Sequence, residues 1–103
     1  METLTINNAA IKVNEEGYFT DPSQWNEDIA IEMAKQQNID LSGKHFEVLH
    51  FLRNKYAEDV PLTIRKVGKS GIVDIKEFYK LFPGGPLKIS SKIAGIPKPV
   101  SCV

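Results

Sequence analysis

Between residues 4 and 19 the apolar positions Leu4, Ile6, Ala10, Ile11 and Val13 follow a broken alternation, the period of a strand that buries one face. Asn7-Asn8 and Asn14-Glu15-Glu16-Gly17 are turn-forming. The pattern therefore predicts a small hairpin, with Tyr18-Phe19 opening a short packed segment. A two-stranded hairpin is marginal alone and has to lie against helices.

From Trp25 onward the period becomes helical. Trp25, Ile29, Ala30, Met33 and Ala34 form one apolar stripe. Asp21-Pro22-Ser23-Gln24 ahead of it supplies an N-cap acid, a proline for the first helical position and a glutamine three residues after the cap. One helix is predicted from that cap to Asn38, with Ile39 folding back. Ser42 caps a second helix running through Tyr56, whose inward face is read as Phe46, Leu49, Leu52 and Tyr56, broadened by Val48 and Phe51. Pro61 opens a short third helix over residues 62–67, and Gly68 and Gly71 make the following connection turn-like. Asp74 and Glu77 form an acidic capping box ahead of Ile75, Phe78, Tyr79 and Phe82, with Ile75 and Phe78 expected in the core. Pro83-Gly84-Gly85-Pro86 stops that helix. A last helix over residues 87–94 presents Leu87, Ile89 and Ile93 and ends at Gly95, a left-handed C′ residue.

The fold expected is mostly α: a compact orthogonal helical bundle with a small N-terminal β-hairpin and a flexible C-terminal arm. The body covers residues 1–95 and the arm residues 96–103. In the arm, Pro97 and Pro99 at alternate positions favour polyproline geometry, about 3.1 Å per residue, so Cys102 reaches roughly 20 Å from Gly95. Little local apolar density is available to fasten it.

Composition narrows the class. At 103 residues with 42% apolar and 25% charged, the chain is one folded domain. No apolar run approaches the ~20 residues a membrane span needs, and the first ten residues lack a basic stretch leading into an apolar one. The expectation is a cytoplasmic protein with no membrane association. A single cysteine excludes an internal disulfide and a thiolate zinc cluster. The formal charge of zero hides a segregation: residues 1–59 carry eleven acids and five bases, whereas residues 60–103 carry eight bases against Asp74 and Glu77. Such a distribution can steer a polyanion or an acidic protein face toward the C-terminal half. Solvated helix surface explains it equally well.

Cys102 stands between Ser101 and Val103, and three readings of it stay open: an incidental surface thiol, a small buried hydrophobe, or a reactive group. A thiol of ordinary pKa is only a few per cent thiolate near neutrality, so activation would come from a partner's cations or amide donors after docking. That suits a carrier better than a stand-alone enzyme. A persulfide, Cys-S-SH, can accept sulfur from a donor's persulfide and yield it to a second thiol, and any resolving thiol has to belong to another protein.

Rival sites are weaker. His45 and His50, five apart on the second helix, are read as helix-surface or helix-contact residues rather than a metal pair with Glu47. Asp28 and Glu32 read as solvated surface. Gly68-Lys69-Ser70-Gly71 lacks the phosphate-loop pattern. No cofactor and no metal are expected. The third and fourth helices could form a helix-turn-helix-like pair with Arg65, Lys66, Lys69, Lys76 and Lys80 toward phosphates, but Asp74 and Glu77 occupy the turn that a phosphate would approach.

Several stretches resemble a known family. Gly17-Tyr18-Phe19, Trp25-Asn26-Glu27-Asp28, His45-Phe46-Glu47-Val48, Phe51-Leu52-Arg53, Tyr56, Ile64-Arg65, Leu81-Phe82-Pro83-Gly84-Gly85-Pro86, and Lys92-Ile93-Ala94-Gly95-Ile96-Pro97-Lys98-Pro99 leading to Cys102 resemble the DsrC/TusE sulfur-relay family. This family contains the gamma-subunit-like protein of dissimilatory sulfite reductase and the TusE-type carrier of tRNA 2-thiolation. The resemblance spans residues 14–103. It implies that Cys102 is the reactive residue of a sulfurtransferase-type carrier. Arg65, Lys92, Gly95, Pro97, Lys98 and Pro99 would serve partner docking or arm positioning. The implied partners are an upstream protein persulfide donor and a downstream sulfur acceptor, such as a sulfite reductase or a tRNA-thiolating enzyme. Ser91 stands where two-cysteine members carry their second thiol, which favours the single-cysteine branch. The stretch from Lys66 to Asp74 is shorter than in typical tRNA-thiolation carriers, and Phe46 stands where tryptophan is usual. Two alternatives remain: a redox-regulatory or sulfite-reductase-associated subunit acting through a mixed disulfide, and a nucleic-acid-binding module using the basic C-terminal half.

Overall fold

The computed structural model describes residues 2–99. Strands β1 (Glu2–Ile6) and β2 (Ala9–Val13) pair antiparallel, from Glu2 opposite Val13 to Ile6 opposite Ala9. Asn7 and Asn8 both take left-handed φ, 52° and 66°, the geometry of a two-residue turn whose twist matches the strands. Ile6, Ile11 and Val13 face the core. The chain then loops around Asn14, whose Oδ1 accepts from the amides of Glu16 and Tyr18, and returns so that Phe19 bridges Val13. Tyr18 and Phe19 are buried at the join between hairpin and helices.

Five α-helices follow among the described residues: α1 (Glu27–Gln36), α2 (Gly43–Ala57), α3 (Ile64–Gly68), α4 (Ile75–Leu81) and α5 (Pro86–Ile93). α1 and α2 both pack on α5, and α3 packs on α4. The core gathers Phe19, Ile29, Ala34, Leu49, Leu52, Phe78, Phe82 and Ile93 with their neighbours. Among the described residues no helix is long and apolar enough to cross a membrane.

Several predicted boundaries move. Asp21 caps a separate 3₁₀ turn, Pro22–Gln24. α1 itself begins after Asn26, whose side chain accepts from the Ile29 amide. Between them Trp25 is extended, which frees its indole from the α1 stripe to face α5. α3 is capped by Thr63, whose Oγ1 accepts from the Lys66 amide, and Pro61 lies outside it.

The buried face of α2 is His45, Val48, Leu49 and Leu52, with Phe46 and Phe51 half-buried and Tyr56 42% exposed. The apolar stripe is thus turned from the predicted one: His45 joins it at the first turn and Tyr56 leaves it at the last, where it lines a groove beside Pro97 and Pro99. Ile75 is also exposed, at 45%, since it sits at the first turn of α4 and only its edge meets Gly68. The expected caps at Ser42 and Asp74 are present.

Candidate functional site at the root of the C-terminal arm

The end of α5 is built as a Schellman motif. The Gly95 amide donates to Lys92 O and the Ile96 amide to Ser91 O, satisfying carbonyls the helix leaves open. Gly95 has φ +68°, and a Cβ there would run into the Trp25 ring. Both the conformation and the close approach require glycine.

Two side chains hold this end from outside. The Trp25 indole donates to Ile93 O at 2.7 Å. Arg53 of α2 lies 4.3 Å above the Trp25 ring centre, donates from Nη1 to Ala94 O at 2.9 Å and Gly95 O at 3.4 Å, and from Nη2 to Pro22 O at 3.0 Å. Partial burial lowers its pKa below the ordinary arginine value, yet arginine stays charged near neutrality. A cation on the carbonyl end of a helix complements its dipole, so one guanidinium ties together α2, the 3₁₀ turn and the end of α5.

Beyond Gly95 the chain stays on the body. Ile96 is 1% exposed, Pro99 is buried, and Lys98 Nζ pairs with Glu16 at 3.0 Å. The fastening density absent from the local sequence comes from distant residues: Trp25 and Arg53 at Gly95, and Tyr56, Val60, Pro61 and Leu62 beside Pro97 and Pro99. Val100, Ser101, Cys102 and Val103 lie outside the described residues, and with them the thiol singled out in the sequence.

The remaining expected positions divide. Lys92 is half-buried, its Nζ 5.2 Å from the centre of the Tyr18 ring. Ser91 is buried, and its Oγ has no hydrogen-bond partner among the described residues. Arg65 is exposed on α3 and is not one of the residues that hold Gly95. Among the described residues, the basic side chains of residues 60–99 form one ion pair, that of Lys98 with Glu16.

The two histidines have separate partners. His45 Nδ1 accepts from the Ser42 amide, while Nε2 lies 2.9 Å from Leu81 O; a carbonyl only accepts, so the proton is on Nε2. His50 Nε2 lies 3.0 Å from Glu27. Helix-contact roles fit both.

The arrangement is a fastened root, and the single thiol follows it in sequence after Val100 and Ser101. Comparison with known proteins agrees along almost the whole chain. The profile of a family described as "DsrC like protein" matches residues 5–103. The chain belongs to the DsrC family. It is 38% identical to sulfurtransferase TusE of Escherichia coli strain K12 over an alignment of 108 residues, covering 97% of this chain and 99% of the relative. The Salmonella typhimurium TusE is 37% identical with the same coverage. Among solved structures, DsrC of Allochromatium vinosum superposes with a TM-score of 0.80 at 35% identity, covering 99% of this chain and 98% of that one. The oxidized gamma-subunit of the dissimilatory sulfite reductase (DsrC) from Archaeoglobus fulgidus gives 0.83 at 29% identity, covering 99% and 100%.

Arg53 is the residue that sequence reasoning passed over as anything but part of a family signature. A charged residue on an amphipathic helix reads as solvent-facing. The available hint was its place one residue after buried Leu52 and one turn before Tyr56, on the side of α2 that meets the arm.

Proposed function

We propose that this protein is a sulfur carrier in a protein sulfur relay, with Cys102 as the atom that takes and gives sulfur. The observation that carries the reading is a lone thiol three residues beyond a root fastened by Arg53, Trp25 and the Lys98–Glu16 pair, in a chain alike to sulfurtransferase TusE along nearly its full length. Residues 1–95 serve as the recognised body, and residues from 96 onward present the thiol.

In the first step the Cys102 thiolate attacks the outer sulfur of a donor protein's persulfide. A bond forms between Cys102 Sγ and that sulfur, the donor's S–S bond breaks, and the donor leaves as a thiolate. Cys102-S-SH results with no net oxidation. In the second step an acceptor thiolate attacks the same outer sulfur and releases Cys102 as a thiolate. Ordinary thiol acidity leaves little thiolate in the free protein, so donor and acceptor pockets supply the activation. Ser91 cannot replace a second thiol, so release depends on a partner. The acceptor that suits a single-cysteine carrier is a tRNA-thiolating enzyme, and the lone free thiol suits the reducing cytoplasm.

Intact-protein mass spectrometry tests the reading. After incubation with polysulfide or a protein persulfide, the parent chain should gain the mass of one sulfur and lose it to an acceptor thiol, whereas C102S should gain none. Equal behaviour of the two proteins overturns the proposal. A partner joined to Cys102 by a disulfide, with its activity altered and no sulfur moved, would assign the chain to redox regulation instead.

A further inference from the structure

Tyr56 is one of few large apolar side chains that the fold leaves exposed. It forms one wall of a groove with Val60 and Pro61, and Pro97 and Pro99 of the arm root form the other. Arg53, one helical turn earlier on α2, grips Ala94 and Gly95. Residues 95–99 therefore run along the last turn of α2, and the groove ends where the described chain ends.

That position limits what can cover the groove. Cys102 lies three residues beyond Pro99, a reach of about 10 Å at full extension. A stable protein interface buries roughly 800 Å² on each partner, a patch wider than that reach. Any protein that closes a pocket over Cys102 must then also cover the surface around Pro99. Part of that surface is the Lys98–Glu16 ion pair, already internally matched. The rest is the Tyr56 groove: largely apolar, walled by three prolines that lose little freedom on being covered, and holding the residue type enriched at interface hot spots. Asp59 and Lys98 also line it, and of these two Lys98 is paired with Glu16.

We propose that this groove is the docking surface for the protein that exchanges sulfur with Cys102. The partner presents an apolar lip around its thiol-receiving pocket, with a basic side chain opposite Asp59, and Tyr56 is the anchor. The inference rests on the sulfur-carrier reading and adds the surface that reading lacks.

The test uses the full chain, with Cys102 activated as a thionitrobenzoate mixed disulfide so that a partner thiol displaces the aromatic thiol and forms a protein–protein disulfide. Tyr79, 48% exposed on α4 and outside the groove, is the control. Tyr56→Ala should lower the yield of the disulfide complex about tenfold, the loss of one moderate hot spot, while Tyr79→Ala leaves it unchanged. Loading of Cys102 by polysulfide should be the same in both variants, because a small donor needs no docking surface. Photoreactive benzoylphenylalanine at position 56 should cross-link the same protein that Cys102 traps, and at position 79 it should not. Unchanged complex formation by Tyr56→Ala, or equal cross-linking from position 79, overturns the docking surface alone. Failure of the parent chain both to load sulfur and to couple to any protein overturns the carrier reading and the surface with it.

Discussion

Three helices of this protein end in the same backbone motif, and only one of them ends in glycine. At the close of α1, Asn38 has φ +60° and the Ile39 amide donates to Ala34 O; at the close of α2, Asp59 has φ +60° and the Val60 amide donates to Lys55 O. The close of α5 repeats the geometry with Gly95 at φ +68° and Ile96 donating to Ser91 O. Asn38 and Asp59 are exposed, whereas Gly95 is buried beneath Trp25. A left-handed residue is thus enough to turn the chain, and short polar side chains supply it where the turn faces water. Glycine becomes obligatory where another side chain has been laid over the turn. That happens at the one helix end from which the arm departs.

Exchanging the residues at these ends separates conformation from packing. Gly95→Asn keeps a residue that tolerates left-handed φ, so backbone preference alone would cost a few tenths of a kcal/mol. With Trp25 against the turn, the expected loss is about 2–4 kcal/mol, the range of overpacking with some remaining strain. Chemical denaturation of parent and variant measures it. A loss under about 1 kcal/mol would show that Trp25 moves aside freely and that the buried end differs little from the exposed ones.

Arg53 comes next in size. Arg53→Ala removes charged donors from the carbonyls of Pro22, Ala94 and Gly95, and a cost of about 2–3 kcal/mol is expected. Arg53→Lys keeps the charge but loses the planar fork and the stacking on Trp25, and should recover less than half of that. Full recovery with lysine would reduce the contact to helix-end electrostatics. Among the described residues no arginine grips the end of α1 or α2 in this way, so these variants should leave hydrogen exchange at Asn38 and Ile39 unchanged while loosening Gly95 and Ile96.

Much of this site could be read from residue order, and the part that could not has a common cause. Gly95 as a left-handed end, Ser42 and Asp74 as caps, and the hairpin turn at Asn7-Asn8 follow from local chemistry, which acts over a few residues. The 3₁₀ turn before α1 was missed because Asp21-Pro22-Ser23-Gln24 is an equally good start for either helix type. What decides is the pull of Trp25 toward Ile93 O, 68 residues away in sequence. The turned face of α2 and the fastening of residues 96–99 likewise depend on contacts from other elements: Leu81 O accepts from His45, Glu16 pairs with Lys98, and Arg53 reaches across from α2. Local propensity carries no information about partners at that separation. The arm and its single thiol were legible from Pro97, Pro99 and Cys102 themselves, and the family resemblance favoured the reactive reading of Cys102, but it did not distinguish Arg53 on the clamp from Arg65 on the surface.

The smallest effect expected is the reciprocal exchange at the exposed end. Asn38→Gly removes the mild strain of a left-handed asparagine and adds conformational freedom to the unfolded chain, two effects of opposite sign. The Ile39 amide can still reach Ala34 O, and the buried Ile39 side chain still closes the motif. Stability should therefore change by less than about 0.5 kcal/mol, within the scatter of surface substitutions and several-fold below the change at Gly95. Paired denaturation curves for Asn38→Gly and Gly95→Asn give the comparison directly. Equal shifts of the two midpoints would mean that the turn itself, and not the indole above it, dictates the residue, and that the α5 end has no special claim to rigidity as the base of the arm.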